Sequence, residues 1–337
     1  MIFFGLYYRL LAVMSDRKKK ERLVFRNTIL LFMTAIIWGT SFVAQSAGME
    51  YIGPFTFSVI RYVLGGTVLI PVIIFLRRKQ EKPADIMLSI KYGIGCGIIL
   101  CSASNFQQMA MLKASAGKAG FITALYIILV PILGIFMRKR TSPVIWLSVI
   151  LAVIGLYFLC IGRSGNYSFE MSDLQLLICS LLFSFHIVYV DNANSKGVDG
   201  VVMSSAQFFT AAVISAFFVV PVDVCVYDMI PRVALVKAAL PALCYSGFMA
   251  CGVAYTLQIV GQNEVNPTVA SLIMSLESVV SAISGFLILH QKLTVDELVG
   301  CFVMFAAIML AEMPAGAKAS RRRKRRIAEK ELKERLE

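Results

Sequence analysis

Charge is scarce in this chain: Asp, Glu, Lys and Arg make up only 16% of its 337 residues, against about a quarter in an average soluble domain. Together with a mean hydropathy of +0.76, this excludes a fold built around one core in water. The apolar surplus has to be solvated by lipid. Histidine is rarer still. His186 and His290 stand far apart with no carboxylate at ligand spacing, which argues against a catalytic metal centre, and no cofactor is expected. The eight cysteines (96, 101, 160, 179, 225, 244, 251 and 301) form no CxxC pair and no secreted-domain pattern, so they read as small buried apolar residues. No Walker A sequence is present, and no loop is long enough for a nucleotide-binding domain, which excludes an ATP-driven pump. A secretory signal is missing too: the apolar stretch before Arg17 is short, is interrupted by Arg9 and runs into charge instead of a cleavage site. The basic run after Met14 would by itself serve as a cytoplasmic tail, so Met1 and Met14 both fit as the start.

Long apolar runs are what the chain has in abundance. A hydrocarbon core about 30 Å thick takes roughly 20 residues per helix. Ten segments qualify: Asn27 to Ser46, Phe55 to Phe75, Tyr92 to Met111, Ala119 to Met137, Pro143 to Ile161, Leu174 to Val190, Val201 to Pro221, Ala238 to Val260, Pro267 to Leu289 and Val295 to Met313. They are continuous and not alternating, which favours helices over a barrel. The expected fold class is therefore an all-α integral membrane protein with ten transmembrane helices. Residues 1–26 are expected to form a cytoplasmic tail, 27–161 a first five-helix half, 174–313 a second, and 314–337 a basic cytoplasmic tail.

Orientation follows from Lys and Arg, which concentrate in cytoplasmic loops. With the N-terminus inside, 26 of the 33 basic residues fall on the cytoplasmic side and six on the outer side. The chain is therefore expected in the cytoplasmic membrane with both termini inside. The formal charge of +13 is accounted for by this asymmetry, so membrane lipid is the expected partner and nucleic acid is not. The run at 321–326 (RRRKRR) reads as an anchor and solvated tail, or as an anionic-lipid or partner site.

The halves resemble each other at a constant offset. Gln108 and Gln258 are 150 apart, Gly134 and Gly285 are 151 apart, and Arg61 and Gln207 are 146 apart. An odd number of helices per repeat puts the halves in opposite orientations, which is the inverted-repeat plan of secondary transporters.

Ionisable residues inside spans are the sharpest candidates for function, since burial of one at a helix centre costs about 2.5–3.5 kcal/mol even on the lower scales. Glu277, about ten residues into helix 9, is a candidate proton carrier. Arg61 lies too deep in helix 2 to snorkel easily. The alternative for both is an Arg61–Glu277 pair, or a hydrogen-bonded Glu277, that serves packing only. His186 is a candidate proton relay or an interhelical hydrogen-bond partner. Helix 3 has a polar end (Ser102, Ser104, Asn105, Gln107, Gln108), matched in helix 8 by Tyr255 and Gln258. Trp38, Gln108, Tyr126, Tyr255 and Gln258 are the expected solute contacts. Tyr62 and Tyr189 are expected to face the same cavity, and Tyr51 and Tyr92 to lie in the interface belt. Small-residue stripes, such as Gly93 with Gly97, read as close helix packing.

Several of these segments carry a family resemblance: WGTSF at 38–42, Gly53-Pro54 followed by Arg61, AGKAGFITALY at 116–126 and SLESVVSAISG at 275–285. Over roughly residues 28–313 the chain resembles the EamA type of the drug/metabolite transporter superfamily. The resemblance implies inverted five-helix repeats around a central cavity and movement of metabolites, often amino acids or related compounds, frequently outward. It also makes Trp38, Arg61 and Glu277 recurrent family positions. Where the second repeat of the family commonly reads Leu-Gly-Glu, this chain has Leu289, His290 and Gln291, and the first repeat has Met137, Arg138 and Lys139. The expected function is a secondary transporter, not an enzyme, that takes a small-molecule solute. A monomer suffices for it, with a dimer left open. The alternatives are a passive channel and a membrane scaffold or sensor that acts through the basic tail.

Overall fold

The computed structural model describes residues 2–79, 84–114, 116–136, 142–160, 170–263, 265–289 and 295–312. The basic run at 321–326, the link from 162 to 169 and the helix-end positions Met137 to Lys139 and His290 to Gln291 lie outside the described residues. Every regular element among the described residues is helical. In order these are α1 (Ile2–Met49), α2 (Pro54–Lys79), α3 (Ile86–Met111), α4 (Ala116–Ala124), α5 (Tyr126–Phe136), α6 (Pro143–Cys160), α7 (Met171–Ser195), α8 (Gly200–Phe218), α9 (Val233–Ala238), α10 (Leu240–Cys244), α11 (Thr256–Gly261), α12 (Pro267–Met274), α13 (Leu276–Leu289) and α14 (Val295–Glu312). Wide π-helical turns extend α8 over Val219–Val224 and join α10 to α11 over Tyr245–Tyr255.

Eight stretches among the described residues are long and apolar enough to cross a bilayer: Leu23–Met49, Pro54–Arg78, Ile86–Met111, Lys118–Phe136, Met171–Ser195, Gly200–Val224, Leu240–Gly261 and Pro267–Ile288. The remaining two segments of the ten expected from sequence, in α6 and α14, are shorter apolar helices that pack on each other. Helix 1 also differs from expectation. It continues past Ser46 to Met49 and extends back through the basic N-terminal segment to Ile2 as unbroken helix.

The surface is inverted relative to a water-soluble protein. Phe217 and Phe302 are about three-quarters exposed, whereas Gln108, Gln207, His186, Asp223 and a series of serines are fully buried. Apolar side chains on this scale can face outward without aggregation only if lipid covers them. The interior is therefore where the polar groups find partners.

Caps set several helix starts. Asp85, Asp199 and Asn266 accept from the free N–H groups of α3, α8 and α12. The start of α2 is capped from elsewhere in the chain: buried Asp223, in the π turns after α8, accepts from Phe55 N (3.1 Å), Thr56 N (2.7 Å) and Thr56 Oγ1 (2.7 Å). Pro54 begins the helix, where its missing N–H costs nothing.

Packing brings the halves together. α3 lies against α7 and α8, α2 against α8 and the π turns at 245–255, and α1 against α13 and the same π turns. The segment α4–α5 crosses α12–α13, with α4 on α13 and α5 on α12. Glycines permit the closest approaches. A Cβ on Gly93 or Gly97 would meet α8 at 2.5 and 2.6 Å, and one on Gly39 would lie 2.5 Å from Val280 Cβ and 2.6 Å from the Glu277 carbonyl.

Candidate functional site

Between the crossing segments lies a cavity of about 40 Å³, room for a few water molecules. α1 contributes Trp38, Ser41, Phe42 and Gln45, spaced i, i+3, i+4 and i+7, so one helix face supplies all four. Arg61 comes from α2, Gln107 from α3, Thr123 from α4, Tyr126 from α5, Phe183 from α7 and Glu277 from α13, while Ala250, Cys251 and Tyr255 come from the π turns.

Two helix breaks shape this site. α4 stops at Ala124 and α5 starts at Tyr126, with Leu125 N bonded to Ile122 O (3.2 Å) and Ile128 N to Leu125 O (3.0 Å) in place of full α-helical spacing. α12 and α13 are divided in the same way at Ser275, where Ser278 N bonds Ser275 O (3.2 Å). Around the second break the hydroxyls of Ser271, Ser275 and Ser278 bond the carbonyls three residues back. Such back-bonding competes with the helix ladder and bends it. The residue just past the first break, Tyr126, donates its hydroxyl to Glu277 Oε1 at 3.0 Å, and Glu277 lies just past the second. This is the hydrogen bond that Glu277 makes among the described residues, and both side chains are buried.

The π turns at 245–255 displace carbonyls from helical register, and α1 uses them. Trp38 Nε1 donates to Ala250 O (3.3 Å) and Thr34 Oγ1 to Ala254 O (3.2 Å). The Trp38 ring tilts against Tyr255 at 4.6 Å. These contacts fix one aromatic wall of the cavity.

On another wall, Gln45 orients the cation. Its Nε2 donates to Ser41 O and Oγ (3.2 and 2.9 Å), which leaves Oε1 to accept from Arg61 Nη1 (2.5 Å) and from Gln108 Nε2. Arg61 Nη2 donates to Tyr62 OH (3.1 Å), and the guanidinium lies 4.8 Å from the Tyr62 ring and 5.8 Å from that of Phe57.

Of the residues expected from sequence, Trp38, Arg61, Tyr126, Tyr255 and Glu277 converge on the cavity. Gln108 sits behind Gln45 and reaches the site through it. Gln258 is fully buried away from the lining. His186 is also set back, with Nε2 3.1 Å from Gln207 Oε1 and 3.2 Å from Cys96 Sγ, and its ring packed edge-on against Tyr255. An Arg61–Glu277 pair is not formed, because Arg61 is directed to Gln45 and Tyr62 and Glu277 to Tyr126. Tyr62 and Tyr189 do not face the cavity as expected: Tyr62 stacks on Phe208 and Tyr189 packs on Tyr92.

Sequence reasoning missed Ser41, Phe42, Gln45, Thr123, Phe183, Ala250 and Cys251. Ser41 and Gln45 had a signal in their spacing from Trp38, at i+3 and i+7 on one helix face. Thr123, Phe183 and Cys251 look like ordinary span residues until the neighbouring helices are in place. Among the described residues no group of His, Cys, Asp or Glu is placed to hold a metal ion.

A multi-pass helical membrane protein with a buried, mixed polar and aromatic cavity is the class that fold and site define. The family follows from comparison: the model of the EamA-like transporter family matches residues 26–161 and 170–313, and the chain belongs to that family. It is similar to an "Uncharacterized transporter" of Archaeoglobus fulgidus, 27% identical over 289 residues that make up 84% of each chain. It is also similar to "Uncharacterized transporter YoaV" of Bacillus subtilis, 21% identical over 289 residues, 83% of this chain and 94% of that one. A crystal structure 18% identical in sequence, covering 86% of this chain and 97% of its own, superposes with a TM-score of 0.68 and so shares the fold. The protein is a membrane transporter, and its family implies that a small-molecule solute is bound.

Proposed function

We propose that the protein is a secondary transporter that moves a small organic solute through this cavity by alternating access. In this reading it has ten spans in two inverted repeats, residues 27–161 and 174–313. The observation that carries the proposal is a buried polar cavity lined from both halves at two helix breaks, Leu125 and Ser275, which stand 150 residues apart, the same offset as Gln108 and Gln258. The packing map supports the two-repeat reading. Exchanging each span for the one five places later turns the α3–α7 contact into the contact of the π-turn span with α1, and the α4–α5 contact with α7 into that of α12–α13 with α1; α2–α8 and α6–α14 map onto themselves. Counting α6 and α14 as spans is supported by their 18 residues each, about 27 Å of rise.

Alternating access requires helices to move, and breaks and π turns are where a helix bends at least cost. Amino acids or related compounds are the proposed cargo and outward movement the proposed direction. The proposed setting is the cytoplasmic membrane with both termini inside, a monomer containing the whole path. Glu277 is the proposed coupling residue, because it is the acidic side chain lining the cavity and its partner, Tyr126, carries no formal charge.

Counterflow in proteoliposomes, with pooled labelled amino acids and other small metabolites, tests the proposal. Saturable counterflow is expected. Flux that neither saturates nor shows counterflow would make the protein a channel and refute alternating access. Glu277→Gln is expected to keep exchange and lose proton-driven accumulation; unchanged accumulation would remove Glu277 from coupling.

A further inference from the structure

We infer that Arg61, held by Gln45, is the seat for a carboxylate carried by the solute; the inference rests on the transporter reading and assigns the chemical class of its cargo. Arg61 is 5% exposed and lines the cavity, yet among the described residues it makes no salt bridge, since Glu277 on the same lining is bonded to Tyr126. Its contacts are the neutral oxygens of Gln45 and Tyr62 and two aromatic rings, and its Nε has no hydrogen-bond partner. A buried guanidinium without a counterion is costly, and natural interiors rarely leave such a donor unused.

The surroundings fix the guanidinium without neutralising it. Gln45 is locked by Ser41 so that only its oxygen is presented, Tyr62 accepts on the far nitrogen, and the rings hold the plane. A planar fork prepared in this way fits a carboxylate, which can bridge two N–H groups. A dianionic phosphate fits less well, because the cavity offers one cation and also contains Glu277. The remaining wall of Trp38, Tyr255 and Phe183 suits the organic part of the molecule.

Competition against counterflow by the wild-type full chain tests this without any variant. Competitors are size-matched sets: amino acids and monocarboxylic acids, the same skeletons with the carboxylate replaced by carboxamide or alcohol, and inorganic phosphate. Carboxylate compounds are expected to compete at concentrations about 30-fold or more below their carboxamides, about 30-fold being the low end of the loss when one partner of a buried charged pair is removed. Equal competition by the carboxamides overturns the inference, and so does phosphate competing better than every carboxylate.

A variant separates binding from folding. Gln45→Glu supplies an internal counterion to Arg61 at the cost of one bond to Ser41 O. Thermal stability is expected to hold or rise while the affinity for carboxylate compounds falls about 30-fold. A purely structural Arg61 predicts the same stability with affinity unchanged, and that result also overturns the inference.

If no pool gives counterflow, the transporter reading fails, and binding alone decides the carboxylate seat. The chain has two tryptophans, so Trp146→Phe leaves Trp38, in the cavity wall, as the reporter. Saturable quenching of Trp38 fluorescence by carboxylates and not by their carboxamides would uphold the seat without transport. Quenching that ignores the carboxylate would refute it.

Discussion

Replacing Tyr126 by Phe removes one oxygen and, with it, the hydrogen bond that Glu277 makes among the described residues. Both side chains are buried, at 3% and 4% exposure, and both line the cavity. The size of the effect depends on the state of the carboxyl group. Neutral interhelical hydrogen bonds in membrane proteins average about 0.6 kcal/mol and reach about 1.7, whereas bonds to a charged group contribute about 1.5–3 kcal/mol. A double-mutant cycle with Tyr126→Phe and Glu277→Met, which leaves no acceptor for the tyrosine hydroxyl, isolates this coupling from the packing cost of each change. Reversible unfolding in mixed detergent micelles gives the four stabilities. A coupling near 0.6 kcal/mol means that Glu277 is protonated in the resting protein; one above about 2 kcal/mol means that it is ionised. Because the two residues join the segments on either side of the cavity, the same bond restrains their separation. Tyr126→Phe is therefore also expected to change the rate of exchange in counterflow. A coupling indistinguishable from zero would refute the reasoning, since the bond would then contribute nothing to holding the two breaks together.

Other perturbations test the frame around the cavity. Asp223→Ala removes the group that caps α2 through three hydrogen bonds and is expected to lower stability by about 2 kcal/mol, at the high end for caps, with Asp223→Asn costing less; equal stability of wild type and Ala variant would show that the cap is not needed. Gly39→Ala places a methyl against Val280 and the Glu277 carbonyl, and is expected to cost about 1–3 kcal/mol and to depress exchange, measured by unfolding and counterflow on the same preparation. Gly155→Ala brings a Cβ to 2.8 Å from Met304 N, which should separate α6 from α14 at a similar cost but leave solute affinity unchanged, because neither helix lines the cavity. Asp173→Ala leaves Lys118, 2.9 Å from the carboxylate, without that partner at the junction of α4 and α7. It is expected to destabilise less than Lys118→Met, which leaves the more deeply buried Asp173 carboxylate without this cation.

The described structure and the sequence agree most closely where the physics is local. Apolar runs locate the helices because each residue's transfer into lipid is nearly independent of its neighbours. The helix breaks at Leu125 and Ser275 were not legible in that way, as both lie inside stretches apolar enough as a whole to read as single spans. Arg61 and Glu277 stood out because any charge in such a run is anomalous, but the sequence left open whether they pair or Glu277 is hydrogen-bonded to another neighbour. A depth along two helices says nothing about which way each side chain points, and Arg61 turned to Gln45 while Glu277 turned to Tyr126.

Composition, apolar run length and the residues that break the lipid rule were enough to establish an all-helical membrane protein and to name most of the polar groups at its centre, while its family came from the resemblance of a few motifs. These depend on properties that each residue carries with it. Which polar residues face the cavity and which are buried behind it was decided only by tertiary structure. Successive side chains on a helix are rotated by about 100°, so Gln107 lines the cavity while Gln108 lies behind Gln45, and only the neighbouring helices determine which of the two meets the solute's space.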